Sequence, residues 1–403
     1  MNKFFRAYHR WTSISLVLRI LCGLVLGIIL GFSLPSFSAI GLLGVGFVNA
    51  LKAIAPILVA VLVTASIAKA KGGLGNRFGL VVTLYLFSTF VAAVVAVIGS
   101  HLFPVTLTFR EAADGCAPEG LSEVFSTLIS NMVQNPLAAI ASANYIGILF
   151  WSIIVGIALR QRASSATIDV VVDVAGAVSA VVAWVIQFAP FGIMGLVFTA
   201  VSESGLEIFT EYGKLVLLLV GCMLFVALVT NPIIVAATIR RNPYPMVWRC
   251  LKESGLSAFF TRSSAANIPV NMDLCKRMGL DENFYSVSIP LGATINMNGA
   301  AITITVLSLA VAGTMGVHVG ILPAIILSAI ATLGACGTSG VAGGSLLLVP
   351  MACSFFGVSA DVAMQAVGIG FIIGVIQDSV ETALNSSGDV IFTATAELRE
   401  KKG

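Results

Sequence analysis

Composition, the length of its apolar runs and the placing of its few charges predict an all-α polytopic membrane protein for this 403-residue chain. It is 58% hydrophobic and 10% charged, where soluble domains run near half apolar and about a quarter charged. Its mean hydropathy is +1.02. The apolar residues come in long blocks rather than in alternation, which argues against a barrel of short strands.

Eight blocks approach or exceed the length of a membrane span, about 20 residues. They lie near 14–34, 40–68, 79–103, 137–159, 169–200, 213–239, 285–315 and 361–393. The first is interrupted by Arg19, outruns a signal-peptide core and lacks a small-residue cleavage site, so it reads as a retained helix. Two further stretches, 253–274 and 320–352, are apolar at their flanks and broken in the middle. In "FFTRSSAANIPVNM", Arg262, Ser263, Ser264, Asn267 and Pro269 fall at mid-segment. In "ATLGACGTSGVAGGSLLLV", glycines at 334, 337, 340, 343 and 344 are too many for a helix facing lipid. Irregular backbone survives at membrane depth only where protein or a wet cavity covers it. Both stretches therefore read as re-entrant hairpins that bring helix ends to the midplane.

The charges orient the chain. Of the 22 Lys and Arg, 17 fall at the N-terminus, in "KAKGGLGNR", "RQR", "IRRNPYPMVWRCLK" and "CKR", or in the "ELREKKG" tail. The opposite loops hold only Arg110 and Lys214 among acids such as Glu111, Asp114, Glu203 and Glu211. The positive-inside rule places both termini in the cytoplasm. Eight spans satisfy that placement only if each hairpin enters and leaves on one side. The polar stretch 104–136 reads as an external excursion.

A hairpin precedes a helix twice, and each helix carries Asn-x-[Asn/Ser]-Gly. The first has "GATINMNGAAI" with Asn296, Asn298 and Gly299; the second has "NSSGD" with Asn385, Gly388 and Asp389. Both are expected to unwind and expose oxygens. With the hairpins on opposite sides, this is the inverted repeat of a secondary transporter. Within "IQDSVETALNSSGD", helical spacing puts Asp378, Glu381, Thr382, Asn385 and Asp389 on one stripe. Three carboxylates at membrane depth cost about 8–10 kcal/mol on the insertion scale, so the stripe should face a solute pathway. Arg262 is the one basic residue at a hairpin tip. A solute ammonium and sodium would satisfy the remaining negative charge.

"TRSSAANIP", "LGATINMNGAA", "GTSGVAGG" and "DSVETALNSSGD", in that order, resemble the dicarboxylate/amino acid:cation symporter family, most closely its bacterial sodium-coupled serine/threonine branch. The resemblance covers essentially the whole chain. It implies an elevator-type homotrimer in the inner membrane, with eight transmembrane helices plus two re-entrant hairpins. Residues 1–76 and 137–212 would form the scaffold; 77–136 and 213–403 would hold the third helix, the external loop and the transport core. It further implies that Asp378 takes a substrate ammonium with hairpin carbonyls near Arg262 and Val341. Ser264, Thr382 and Asn385 would take the α-carboxylate, with Ser263 and Gly343 beside them. One sodium would lie among Gly292, Asn296, Asn385 and Asp389, a second near Thr294 and the Ala335–Thr338 turn, including Thr338. Oxygen ligands of this kind suit a hard cation.

Two departures bear on specificity. Relatives with acidic substrates carry arginine where this chain has Glu381, which would repel a side-chain carboxylate. Either Glu381 accepts from a hydroxyl on a neutral substrate, favouring serine and threonine, or it pairs with Arg262 and never meets substrate. Many relatives also have aspartate where Asn298 stands, holding a further sodium with a hydroxyl pair that would here be Ser88 and Thr89. Its loss predicts fewer coupled sodium ions.

Competing chemistries have weaker support. The seven cysteines form no CxxC pair and read as core packers. "GTSG" at 337–340, with His318 upstream, matches an intramembrane serine protease only as a short string. No Walker motif is present, so an ion gradient rather than ATP is the expected energy source. An ion channel lined by the hairpins is the remaining alternative. Nucleic acid is not an expected partner.

Overall fold

A computed structural model describes residues 14, 16–69, 75–107, 130, 132–142, 144–204, 207–336 and 343–400. Among them every regular element is helical. Six segments are long and apolar enough to cross a membrane: Ser38–Lys69, Arg77–Leu102, Ser165–Gln187, Tyr212–Ile239, Glu282–Thr314 and Ala360–Arg399. Among the residues singled out above, Arg110, Glu111, Asp114, Val341 and the string 337–340 with Thr338 lie outside the described residues.

The helices pack in two sets. The first holds α1 (Leu16–Ser33), α2 (Gly41–Lys69), α4 (Tyr145–Arg162), α5 (Ser165–Gln187) and α6 (Ala189–Ser204), with α3 (Gly75–Leu102) in the second. Close approach of α1 to α6 follows from Gly23, Gly27 and Gly31, one per turn on a single face. A Cβ at any of the three would run into Pro190, Met194 or Val201. The apolar run 169–200, expected as one span, breaks at Phe188 into α5 and α6. Pro190 explains the break, since it has no N–H for the carbonyl of Ile186 and its ring crowds that turn.

The second set continues with α7 (Glu207–Phe225), which passes through a π turn at Val226–Thr230 into α8 (Asn231–Ile239). Then α9 (Tyr244–Cys250), a second π turn at Leu251–Gly255 and α10 (Leu256–Thr261) form the first arm of a helical hairpin; α11 (Ser264–Arg277) is its return arm. The chain reverses at Arg262 and Ser263, with Arg262 left-handed at φ 52° and Ser263 extended. Pro269, expected to break the segment, sits inside α11. It lies in the second turn, where only one intrahelical bond is forfeited. At the outer end of this hairpin Arg277 donates to Glu253 and Asp273, and its bond holds the Glu253 carboxyl below the usual range.

Next come α12 (Glu282–Ile295) and α13 (Asn298–Thr314), separated by non-helical backbone at Asn296 and Met297. The first Asn-rich motif therefore unwinds, as expected. Every residue of α13 from Asn298 to Ala312 is buried, so it forms the centre of this set. After α14 (Ile321–Ala335) the chain is described again from Gly343, through α15 (Val349–Ser354), to the long α16 (Ala360–Glu400). The second Asn-rich motif does not unwind: α16 runs unbroken through Asn385–Asp389. Gly388 instead provides room for a neighbour, since a Cβ there would lie 2.6 Å from Asn296 Nδ2.

Where the two sets meet, the contacts are apolar. Phe47 and Phe371 stack edge to face at 5.1 Å, and Gly368 lies against Leu196 and Val48.

Candidate solute and cation site

The α16 stripe is shielded. Asp378, Glu381, Thr382, Asn385 and Asp389 are each at most 5% exposed. The helical hairpin 251–277, α12, α13 and α3 surround it.

At one end of the stripe lies an ion pair. Arg262 Nε donates to Asp378 Oδ2 at 2.7 Å, and Nη2 donates to the Gly374 carbonyl at 3.2 Å. The other carboxylate oxygen accepts from the Gly343 N–H at 3.3 Å. The reversal at Arg262 aims its side chain at α16, while Ser263 Oγ caps α11 by accepting from the Ala266 N–H. Only about 10 Å³ of space remains beside the pair, lined by Ile20, Arg262, Gly343, Phe371, Gly374 and Asp378. The expected alternative of Arg262 on Glu381 is not what forms. Asp378 is the carboxylate the guanidinium reaches, and Glu381 is already engaged.

Glu381 Oε2 accepts from Thr303 Oγ1 at 2.7 Å, from Ser345 Oγ at 2.9 Å and from Gln377 Nε2. Its carboxylate thus ties α13, the segment after Gly343 and α16 together. Gly299 permits that approach, because a Cβ there would sit 2.8 Å from the Glu381 backbone. Nothing in the sequence marked Thr303 or Gln377, since single hydroxyls and amides in apolar runs carry no spacing signal, and Ser345, expected only as a small packing residue over the substrate, is a donor to Glu381.

One turn on, Thr382 Oγ1 bonds back to the Asp378 carbonyl, and Asn385 Oδ1 accepts from the Gly299 N–H at 2.7 Å. Ser264 is buried at the start of α11. The N–H groups of that first turn have no intrahelical acceptor, and the helix end carries partial positive charge.

At the far end, Gly292, Asn296, Asn385 and Asp389 come together as expected. Asn296 Nδ2 donates to the Asn385 carbonyl at 3.1 Å and to Asp389 Oδ1 at 2.9 Å. Asp389 Oδ2 is buried and has no hydrogen-bond partner among the described residues. A buried carboxylate oxygen left without a partner is a hard ligand of the kind sodium takes, while the Asn296 amide turns its Nδ2 to Asp389 and its Oδ1 to Ser88. The Gly292 carbonyl accepts the Asn296 N–H, and Tyr85 OH bonds the carbonyls of Ser288 and Asp389 and the hydroxyl of Thr393. Thr294 turns its hydroxyl to Leu291, away from this group. Cys336, at the end of α14, lies 3.8 Å from the Ile295 carbonyl, which brings the start of the expected second cation site alongside Thr294.

Asn298, Ser88 and Thr89 also meet, in a network without charge in which both hydroxyls also reach the Tyr85 carbonyl and the Asn231 Nδ2 has no partner among the described residues. Both hydroxyls donate to Asn298 Oδ1, at 3.2 and 2.9 Å, and Asn298 Nδ2 donates to Asn231 Oδ1. A second neutral cluster, not foreseen as a unit, pins the hairpin to α16. Asn267 Nδ2 donates to Ser386 Oγ at 2.8 Å and Asn271 Nδ2 to the Ser386 carbonyl at 3.1 Å. The Asn-x-x-x-Asn spacing on α11 was the available clue. His318 is exposed, so a buried protease base is not formed by it.

The profile of the sodium:dicarboxylate symporter family matches residues 16–397. The serine/threonine transporter SstT of Bifidobacterium adolescentis is 59% identical over 384 residues, covering 95% of this chain and 89% of that protein. The protein of the same name from Streptococcus agalactiae is 55% identical over 399 residues, covering 98% of each.

Proposed function

This chain belongs to the sodium:dicarboxylate symporter family, and on that premise we propose that it imports serine and threonine, driven by sodium, across a bacterial inner membrane. As a multi-pass member of a cation-coupled symporter family it is a transporter and not an enzyme. The names of its relatives support the substrate, and one observation supports the coupling. Asp378, Glu381 and Asp389 are all buried on one stripe, with Arg262 the single basic side chain among them. A zwitterion's ammonium and a sodium ion supply the missing positive charge.

In this reading the substrate ammonium takes Asp378 in place of the guanidinium. Its carboxylate meets the α11 terminus at Ser263 and Ser264, together with Thr382 and Asn385. Its hydroxyl faces Glu381, where a side-chain carboxylate would be repelled. Val341 and Gly343 close the site. Sodium takes Gly292, Asn296, Asn385 and Asp389, and a second ion takes Thr294 and Thr338. The network of Asn298, Ser88 and Thr89 holds no carboxylate to offset a further cation, which favours a smaller ion count than three. The division into 1–76 with 137–212 and 77–136 with 213–403, a homotrimer, the full tally of eight spans and two hairpins, and cytoplasmic termini belong to the same proposal. The lysine- and arginine-rich loops support the last of these.

Counterflow in reconstituted vesicles tests the reading. Labelled serine and threonine should exchange in sodium and not in choline, with aspartate excluded. Equal exchange in choline, or a preference for aspartate, would refute it. A finer test is Gly292→Ala, whose methyl would lie 2.8 Å from both Asp389 Oδ1 and Tyr85 OH. Overpacking of 1–3 kcal/mol should raise the sodium concentration for half-maximal uptake about tenfold or more, while substrate half-saturation at high sodium changes little.

A further inference from the structure

On the outer face of the second helix set, away from the stripe, α3 and α7 part to leave a groove of about 830 Å³. Its walls include Ile98, Leu102, Leu217 and Phe225, and among the described residues Lys214 is the only charged one lining it. The gap exists because the facing positions are small. A Cβ on Gly99 would already meet Cys222, while one on Gly221 would meet nothing within 4 Å. Leu102, Leu217 and Phe225 remain 68%, 75% and 49% exposed.

Depth and charge identify the occupant. Lys214 stands two residues inside the span that begins at Tyr212, level with the end of α3 at Leu102. From Lys214 to Phe225 the groove follows eleven residues of helix, roughly 16 Å at 1.5 Å per residue. Half of a hydrocarbon core about 30 Å thick is about 15 Å. The groove is thus one leaflet deep, apolar along its length and cationic only where headgroups lie. Lysine at such a depth extends its ammonium to the interface.

We propose that this groove is a phospholipid site: one acyl chain lies between α3 and α7, and the phosphate of an anionic headgroup sits on Lys214. Neither the uptake reaction nor its ions are needed for the argument.

Native mass spectrometry of the delipidated full-length protein, titrated with phosphatidylglycerol or phosphatidylcholine, tests it. One phosphatidylglycerol per protomer should bind more tightly than phosphatidylcholine. Lys214→Gln should weaken phosphatidylglycerol about fivefold, the worth of one basic residue at a membrane surface, and remove the preference. Gly221→Leu, whose Cβ meets no protein atom within 4 Å and whose side chain enters the groove, should weaken both lipids. Equal binding of the two lipids by the unaltered protein would mean annular contact only and would overturn the site. So would a preference that survives Lys214→Gln, or lipid binding untouched by Gly221→Leu in a variant that melts normally.

Discussion

Asp389→Asn should abolish sodium-driven serine uptake while leaving the fold intact. The side chain is fully buried, one oxygen accepts from Asn296, and the other has no partner among the described residues. A buried carboxylate left this way is expensive, and removing one member of a buried charge pair costs about 3–5 kcal/mol. A bound cation removes that expense, so the charge at 389 is what makes cation binding favourable. Asparagine keeps the shape, keeps an acceptor oxygen for Asn296 and deletes the charge. Loss of about 3 kcal/mol corresponds to roughly 100-fold in cation affinity, which at ordinary sodium concentrations amounts to no transport. Thermal unfolding gives a second readout. Sodium should raise the Tm of the unaltered protein by mass action and should leave the variant's Tm where it was. An Asp389→Asn protein whose Tm still climbs with sodium would remove Asp389 from the cation site.

Asp378→Asn should lose uptake and also lose stability, because it strands Arg262. The ion pair is 2.7 Å long, with side chains 10% and 5% exposed. Breaking such a pair from one side costs on the order of 3–5 kcal/mol, whereas replacing both members by neutral groups is often nearly neutral. The double variant Arg262→Gln with Asp378→Asn should therefore melt close to the unaltered protein. It should still fail to transport, since no carboxylate remains for the ammonium. Stability and function are read separately in this pair of proteins. Recovery of uptake along with Tm in the double variant would show that Asp378 serves only to neutralise Arg262.

Sequence reasoning located the site better than it described it. The stripe was legible because helical arithmetic alone puts 378, 381, 382, 385 and 389 on one face, and any helix would do so. The glycine count after Ala331 and the polar run at Arg262 likewise marked where spans could not continue. Which carboxylate Arg262 reaches was not legible, for it depends on the left-handed turn at 262 that aims the side chain. The two Asn-x-[Asn/Ser]-Gly motifs looked equivalent, yet one unwinds and the other stays helical. In the second, Ser387 bonds back to the Ala383 carbonyl at 2.7 Å and Gly388 is filled by Asn296, so the local pattern yields to packing. The break before Pro190 could have been read from the proline itself, had an apolar run of 32 residues not invited a single long helix.

The seam between the two helix sets has a mechanical meaning. Within the second set, polar bonds tie α16 to α3, α11, α12 and α13, and a displacement by one helical turn would break many at once. Across the seam, Phe47 meets Phe371 and Leu196 rests on Gly368. Such contacts resist separation but have no preferred register, since apolar attraction depends on area and not on direction. That seam is where the proposed division of the chain would let one block, stiffened from inside, slide past the other.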